Sequence, residues 1–218
     1  MLIVEEMYLL LSQDNATTER ARKFRSYGLA AAALADLREA GFIAIAAEGK
    51  DPKVTLVKAG MTGQPPLDAI LPALDGLSGK GLSKLVSSSK LSPDAATGQA
   101  LANQGVFHEQ TSLLGASTFT TVNPAPEIAL RERLGQVLSG HREATEAERT
   151  ELGLLKALNV AHGLLGPARG DMDRSGLSRR IESVAQGIPV VEAVQRIVDP
   201  ITASTMTLAT ASGSAGAV

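Results

Sequence analysis

The sequence predicts a mainly α-helical fold: a compact helical domain around a central apolar helix, with two small β-hairpins. Aromatic residues make up only 3% of the chain and Trp is absent, so Leu, Ile, Val and Ala must build the core, which favours helix packing. Apolar residues recur at helical spacing through most of the 218 residues. In addition, a helix that ends at a glycine and continues into two short strands occurs twice, and we expect one of the two hairpins to project from the domain.

The first helix–glycine–hairpin unit reads GLAAAALADLREAG, FIAIAA, EGKDPK and VTLV, which predicts a helix, a strand, a turn and a returning strand. Leu34 and Leu37 lie on one stripe of this helix, and Asp36 and Glu39 fall on the opposite side. The stripe predicts a buried face, and the two acids predict a solvent-exposed one. Gly41 follows at the position where a left-handed C-terminal cap favours a residue without Cβ.

The second unit repeats this order in the middle of the chain. Its helix ends with LANQG at Gly105, VFHEQ is the predicted strand and STFTTV is the returning strand. Residues 2–11 predict a short buried helix before the first unit. Between the two units, Pro65 and Pro66 suit the opening of a helix, and a further short helix is expected at residues 82–86.

The C-terminal half begins with an amphipathic helix. Apolar residues from Ile128 to Leu138 mark its core-facing side, and Gly140 ends it. Thr145 and Glu148 then have the spacing of a capping box, which predicts the start of the next helix.

That next helix is the predicted centre of the fold. Residues 152–165 are apolar on nearly every side, so we expect them to form the most buried helix. One more helix follows, and residues 190–198 form the last, ended by Pro200. The sequence therefore predicts one helical domain over residues 1–199 and a Ser/Thr/Ala/Gly-rich tail over residues 200–218 that is at least partly disordered.

Residues that carry chemistry are few. The chain has no Cys, which excludes disulfides, thiol nucleophiles and zinc–thiolate sites. His108, His141 and His162 show no metal-ligand spacing, and His162 is expected to be buried and hydrogen-bonded in the apolar helix. Glu5 and Glu6 are adjacent, so their side chains diverge, and we expect a capping or surface role for them. The sequence predicts no catalytic site, no metal site and no cofactor.

Two basic stretches are the candidates for a binding site, although the net charge of −2 argues against a general nucleic-acid binder. The cations that we expect to bind anions are Arg20, Arg22, Lys23 and Arg25 in the first stretch, and Lys84 and Lys90 in the second. Such charges are either ordinary solvated surface or an anion site. Each Lys or Arg near an anionic membrane contributes about 1 kcal/mol of attraction, so convergence of the two stretches predicts binding to anionic phospholipid.

Six segments of the chain resemble the Golgi phosphoprotein 3 family. They are LIVEEMYLLL, SYGLAAAALADLREAGFIAI, TGQPPLDAIL, LANQGVF, LRERLGQVL and LLKALNVAHGLL, which occur in the family's order. The resemblance implies a mostly helical fold with a projecting β-hairpin. It also implies a non-enzymatic, cytoplasmic, peripheral membrane adaptor that binds phosphatidylinositol 4-phosphate and the cytosolic tails of membrane enzymes, the glycosyltransferases.

The chain departs from the family where the phosphoinositide headgroup would bind. The resemblance places the family's pocket tryptophan at Ala21 and three pocket arginines at Ala30, Leu91 and Asp94. Neighbouring cations of the two basic stretches can replace them. Because none of the pocket residues matches, we expect binding to anionic lipid with weakened headgroup specificity.

The family's hairpin corresponds to residues 106–122, with Leu113 and Leu114 near its tip. The resemblance implies that this hairpin supports self-association, giving a homo-oligomer, and membrane contact. Two adjacent leucines at a turn are unfavourable as bare surface. We therefore expect a partner or a membrane to cover them, unless they fold back onto the core.

Two other functions are compatible with the sequence. Helix–glycine–hairpin units are also typical of winged-helix DNA-binding regulators. However, the helix before the first hairpin offers a single Arg to a DNA groove, and the helix before the second offers neither Lys nor Arg. We therefore expect no nucleic-acid partner. The other alternative is a protein-binding module without a lipid role.

Overall fold

The structure of the chain, a computed structural model, describes residues 1–12, 19–111 and 117–213, without the side chains of residues 19–23 and 204–213. It is mainly helical and carries two antiparallel hairpins, which confirms the predicted fold class. Leu113 and Leu114 lie outside the described residues. The elements are α1 (Ile3–Leu11), α2 (Glu19–Glu39), β1 (Ile43–Ile45), β2 (Val54–Leu56), α3 (Pro65–Asp68), α4 (Leu71–Asp75), α5 (Leu82–Val86), α6 (Asp94–Asn103), β3 (Phe107–Thr111), β4 (Ser117–Thr121), α7 (Ala125–Leu138), α8 (Glu146–Ala157), α9 (Ala161–Leu164), a 3₁₀ helix (Gly166–Arg169), α10 (Arg174–Val184) and α11 (Pro189–Gly213).

Both helix–glycine–hairpin units are present, and their backbone hydrogen bonds match. In the first unit Gly41 has a φ of +73°, and the next residue donates its N–H to the carbonyl of Leu37 at 2.9 Å. In the second unit Gly105 has the same φ, and the next residue donates its N–H to the carbonyl of Leu101 at 3.0 Å. A left-handed glycine with this long backbone bond is the Schellman motif, which satisfies a carbonyl that the helix end leaves open. The sequence repeat is therefore also a structural repeat.

The most deeply buried helix is α1, because all nine of its residues are buried. It packs against α2, α6, α7 and α8. Asp36 of α2 accepts the backbone N–H groups of Ile3 and Val4, both at 2.9 Å, and so satisfies donors that the first turn of α1 cannot pair itself. The predicted solvent-facing position of Asp36 is wrong, since α1 covers the side of α2 that lies opposite the apolar stripe.

The central helix predicted at residues 152–165 is two helices, α8 and α9. Asn159 between them has a φ of +58°, and the next residue donates its N–H to the Leu155 carbonyl at 3.0 Å. The end of α8 thus repeats the Schellman cap with Asn in place of Gly, which an apolar pattern does not signal. Leu152, Leu155 and Leu158 are fully buried, as predicted. Because Asn159 is exposed, however, the most buried helix is α1 and not this segment.

Three other helix predictions need correction. The helix expected to open at the two adjacent prolines is divided into α3 and α4. In α7, Ile128 is 53% exposed and Glu127 is buried, so the core-facing side begins at Leu130. The last helix, α11, does not end before Pro200 but continues to Gly213, because a proline removes one backbone hydrogen bond without preventing the turns on either side. The predicted disorder of the tail stays a prediction.

Two predicted helix boundaries in the C-terminal half are confirmed. Gly140, with a φ of +79°, follows the end of α7. The Thr145 hydroxyl accepts the Glu148 N–H at 3.2 Å, and the Glu148 carboxylate accepts the Thr145 N–H at 3.0 Å, so the capping box opens α8. Of the helices in the described part of the chain, none is long and apolar enough to cross a membrane.

Candidate functional site

Arg25 is the best-defined member of the predicted anion site. Its Nη1 donates to the Leu11 carbonyl at 2.9 Å and to the Ser12 hydroxyl at 2.7 Å. Its Nη2 lies 3.1 Å from Asp94 Oδ1, and its guanidinium lies 4.2 Å from the centre of the Tyr8 ring. The side chain is only 18% exposed. Arg25 therefore joins the end of α1 and the start of α6 to α2, and its charge is balanced by Asp94.

The Arg25–Asp94 ion pair brings parts of the two basic stretches together. Asp94 is the first residue of α6 and follows the exposed Lys90 by four residues. The ion pair therefore holds the loop that carries Lys90 beside the N-terminal half of α2. Arg25 and Asp94 neutralise each other, whereas the exposed side chain of Lys90 on the adjoining loop has no partner among the described residues.

The structure places the other predicted cations as follows. The backbone of α2 includes Arg20, Arg22 and Lys23, whose side chains lie outside the described residues. Lys84 is exposed on α5, a helix that packs against both α2 and α11. Its neighbour Ser83 accepts a hydrogen bond from Arg196 of α11 at 3.2 Å. The described contacts thus tie the loop of Lys90 to Arg25 through Asp94, whereas they connect the region of Lys84 to α11.

The positions that the resemblance assigns to a phosphoinositide pocket offer no free cation where the structure describes them. Ala30 and Leu91 are each 1% exposed and belong to the core. Asp94 is acidic and already paired with Arg25. The side chain of Ala21 lies outside the described residues. An anion that approaches this face would therefore meet the cations of the basic stretches and not a preformed pocket at these positions.

A pair of buried carboxyl groups, which the sequence did not reveal, lies on α1 and α8. Glu6 accepts a hydrogen bond from Arg133 at 2.8 Å, and Glu151 is fully buried. Burial, together with the neighbouring Glu6, raises the pKa of the Glu151 carboxyl to about 10, so this group is protonated at neutral pH. A protonated carboxyl beside one that is paired with an arginine resembles an acid–base pair. Glu151 is inaccessible to a substrate, however, so the arrangement is structural.

The other adjacent acid of α1 has a capping role, as predicted. Glu5 accepts the backbone N–H of Leu2 at 2.9 Å and a hydrogen bond from Gln104 at 2.8 Å. Both Glu5 and Glu6 are buried, so a surface role is wrong for both. Their partners Gln104 and Arg133 are distant in the sequence, and adjacency alone could not indicate them.

The largest cavity among those described, about 1050 Å³, lies between α7 and the 3₁₀ helix, and we call it the α7 groove. Ile128 and Met172 give it apolar walls, and Gly135 lets the two elements approach closely, because a Cβ there would lie 3.1 Å from a backbone oxygen of the 3₁₀ helix. Glu132 and Asp171 line it without a partner among the described residues. Arg131 and Arg169 also line it, so the α7 groove is apolar with residues of both charges on its lining.

The histidines do not form a metal site. Within the described part of the chain, no group of three or more His, Asp or Glu residues could hold a metal ion. His108 and His141 are exposed. His162 is half-buried and lines a second cavity, so its predicted burial is wrong. The reason is the helix break at Asn159, which separates α9 from the buried α8.

A comparison with known protein families agrees with the fold. The sequence model of the Golgi phosphoprotein 3 family matches residues 3–201, from the start of α1 into α11. This match confirms the family resemblance that the six segments predicted. No curated protein sequence matches the chain.

Proposed function

The chain belongs to the Golgi phosphoprotein 3 family, and from this premise we propose that it is a non-enzymatic, cytoplasmic adaptor that binds membranes peripherally. Its membrane ligand is anionic phospholipid, phosphoinositides included. Its protein clients are cytosolic tails of membrane enzymes. We define the basic face as the surface formed by Arg20, Arg22, Lys23, Arg25, Lys84 and Lys90.

The observation that carries this proposal is the ion pair between Arg25 and Asp94. It fixes the loop of Lys90 against α2, and so it supports convergence of the first basic stretch with the Lys90 part of the second. Arg25 then acts mainly as the link between the stretches. Its neighbours in α2, together with Lys90, supply the attraction, at about 1 kcal/mol for each cation near an anionic surface.

The pocket positions support weak headgroup specificity. Ala30, Leu91 and Asp94 offer no guanidinium group to clamp a phosphate. Binding should therefore follow the total anionic charge of the membrane. It should weaken steeply with salt, since the Debye length shortens from about 10 Å at 0.1 M to about 3 Å at 1 M.

A liposome co-sedimentation series tests the proposal. Vesicles of neutral phosphatidylcholine are compared with vesicles that contain phosphatidylserine or phosphatidylinositol 4-phosphate at equal total charge. Arg22→Glu with Lys23→Glu should weaken binding to both anionic vesicles by at least about thirtyfold, since two cations of about 1 kcal/mol each are lost and reversed. The matched control is Arg38→Glu with Lys58→Glu, because both cations are exposed near the C-terminal end of α2, away from the basic face, and the change in charge is the same.

Three outcomes would contradict the proposal. Salt-tolerant binding to phosphatidylinositol 4-phosphate alone would mean that other residues rebuild a specific pocket. Equal losses in the variant and in its control would mean that net charge, and not the basic face, drives the interaction. Binding to neither anionic vesicle at low salt would favour the second candidate.

The second candidate is a protein-binding module without a lipid role, and the α7 groove favours it. Its arginines, Arg131 and Arg169, already bond to Glu127 and to the Met172 carbonyl. Its apolar wall at Ile128 and its unpartnered acids Glu132 and Asp171 therefore suit a segment that combines aliphatic and basic side chains. In an adaptor the same groove would hold the protein client. Glu132→Gln with Asp171→Asn should then weaken binding of a Leu- and Arg-containing peptide and leave binding to anionic vesicles at least as strong.

A further inference from the structure

A second cavity of about 550 Å³ lies between the end of α8, α9 and the start of α10, and we call it the α10 cavity. It shares no residue with the basic face or with the α7 groove. The break at Asn159 creates its outline, because the left-handed residue ends α8 and turns the chain toward α9. The polar side chains that surround it include Lys156, Asn159, Arg174, Ser175, Ser178 and Arg179.

The charges around the α10 cavity are unbalanced in favour of cations. Arg174 and Arg179 are exposed and have no partner among the described residues. Lys156 lies 3.3 Å from Glu182, a contact at the surface in which Glu182 is 62% exposed and so readily exchanged for another anion. Asp173 is the single acid on the described cavity wall.

The carboxylate of Asp173 is already hydrogen-bonded to the backbone. It accepts the N–H of Gly176 at 2.6 Å, and it caps the first turn of α10. Because this acid is held there as a cap, it is not placed to neutralise both arginines. The hydroxyl groups of Ser175 and Ser178 add hydrogen-bond donors to the same wall.

The floor of the cavity is apolar. Leu177 and Ile181 of α10 are buried, at 1% and 0% exposure, and Ala161 of α9 lies opposite them. Cavities of about 300–1000 Å³ with an apolar lining and a few convergent polar groups are typical of small-molecule sites. A ligand that fits this one has an anionic end for the arginines and a neutral body of a few carbon atoms for the floor.

From this arrangement we infer that the α10 cavity binds a small phosphate monoester. Arg174 and Arg179, which line the cavity together with two hydroxyl donors, match the oxygens of a terminal phosphate, which arginine recognises through paired N–H groups. The monoester can be a soluble metabolite or the headgroup of a lipid such as phosphatidic acid. The arginines would make the same contacts with the phosphate of either ligand. The two ligands differ in the part of the molecule that carries the phosphate.

Isothermal titration calorimetry of the full chain with glycerol 3-phosphate tests the inference, with inorganic phosphate as the probe that lacks a body. We expect saturable binding that is tighter for the monoester. Arg174→Gln with Arg179→Gln should weaken it by about tenfold for each arginine, as expected for hydrogen bonds to a charged group. Lys50→Gln with Lys53→Gln removes the same charge from the exposed first hairpin turn and should have no effect.

The source of the phosphate is decided by a second arm with phosphatidic acid vesicles, carried out in the Arg22→Glu with Lys23→Glu background so that the basic face does not hold the vesicles. If glycerol 3-phosphate displaces these vesicles and the arginine variant no longer binds them, the ligand is a lipid headgroup. If the vesicles bind equally well to the variant, the ligand is a soluble monoester. Arg22→Glu with Lys23→Glu should leave the calorimetric signal unchanged, so failure of the lipid proposal and failure of this one are distinguishable.

Two results would overturn the inference. The first is the absence of saturable binding for both phosphate probes. The second is an equal loss in the lysine control, which would indicate a general charge effect. Far-ultraviolet circular dichroism of each variant verifies that the helices are retained, so a loss of binding reports the site itself.

Discussion

The two helix–glycine–hairpin units begin in the same way and end differently. After Gly41, Val54 of β2 is fully buried and exchanges backbone hydrogen bonds with Lys80 and Gly79, at 3.0 and 2.7 Å, so a loop outside the hairpin covers its edge. In β4, which follows the second glycine, Phe119 is half-buried and the other four residues are exposed. The same cap therefore precedes a hairpin that is built into the domain and a hairpin that stands on its surface. The cap determines where the chain turns, and tertiary neighbours decide what becomes of the strands.

One position of the helix, occupied by Leu in the first unit and by Gly in the second, accounts for much of this difference. When the units are aligned on their capping glycines, Gly98 of α6 occupies the place of Leu34 of α2. Leu34 is fully buried and fills the core itself. A Cβ at Gly98 would lie 2.5 Å from the Phe119 ring and 2.7 Å from the Tyr8 hydroxyl. The second helix therefore gives up a core side chain, and an aromatic residue of its own hairpin takes that space.

Leu158 offers the strongest test of how the first unit is anchored. It is fully buried, and its Cδ1 would lie 2.8 Å from a Cβ at Gly28, so it packs directly against α2. Leu158→Ala should lower the free energy of unfolding by about 2–5 kcal/mol in a denaturant titration. Ile128→Ala, at an exposed site, is the control and should change it by less than about 0.5 kcal/mol. A similarly small change at Leu158 would mean that α2 is not anchored on α8.

Asp36 gives the first unit a titrating group that the second lacks, since Ala100 occupies its place on α6. Burial raises the pKa of the Asp36 carboxyl to about 7, although the N–H groups of Val4 and Ile3 oppose the shift. Between about pH 4 and pH 7 the folded chain thus keeps a proton that the unfolded chain has lost. The free energy of unfolding should fall with rising pH in this window, by about 1.4 kcal/mol per pH unit.

Asp36→Asn should remove this contribution, which is measured as a flatter dependence of the unfolding midpoint on pH across the window. Glu151 remains in both proteins, so the difference between their slopes reports Asp36 alone. Identical slopes would show that Asp36 is already ionised in the folded chain, because its two N–H donors outweigh its burial.

The two helix glycines should respond differently to the same substitution. Gly98→Ala places a methyl group against two rings that cannot move far, and we expect a loss of about 1–3 kcal/mol in the free energy of unfolding. Gly28→Ala meets the flexible ends of Leu158 and Leu11, and alanine favours the helix by up to about 1 kcal/mol, so the net loss should be smaller. Thermal unfolding of both variants makes the comparison. A larger loss at Gly28 would contradict the proposed role of the Phe119 contact.

The smallest effect on stability is expected at the tip of the second hairpin. Leu113 and Leu114 lie outside the described residues, and their role stays a prediction from the sequence. Replacing both by Ser should leave the melting temperature nearly unchanged and shift sedimentation or vesicle binding, because the leucines serve contacts outside the monomer. A large drop in the melting temperature would instead assign them to the core.

Local signals predicted much of the fold. Gly41, Gly105 and the Thr145–Glu148 pair each act within a few residues of the chain, so spacing alone located three helix boundaries. Asn159 belongs to the same class of cap, but Asn takes the left-handed conformation less often than Gly, and an uninterrupted apolar pattern concealed it. Helix boundaries that depend only on residues within one helical turn were therefore predictable from the sequence.

Features that depend on distant partners were not. The burial of Asp36 requires α1 on the opposite side of α2, and the neutralisation of Arg25 requires Asp94 at the start of α6. Composition identified the basic stretches, but it could not show which cation forms an ion pair within the protein. The α10 cavity was not predicted for the same reason, because its arginines line a cavity only when α9 and α10 come together in the fold.

The complete burial of α1 has a consequence for synthesis of the protein. This helix needs α8, which ends at Ala157, among its neighbours. At about 5–20 residues per second, a ribosome takes roughly 7 to 30 s to extend the chain from Leu11 to Ala157. For that interval the helix can pack against α2 and α6 but not against α7 and α8 together, and its uncovered apolar residues remain available to chaperones or to other nascent chains. The yield of folded protein should therefore depend on how well the cell shields this first helix while translation continues.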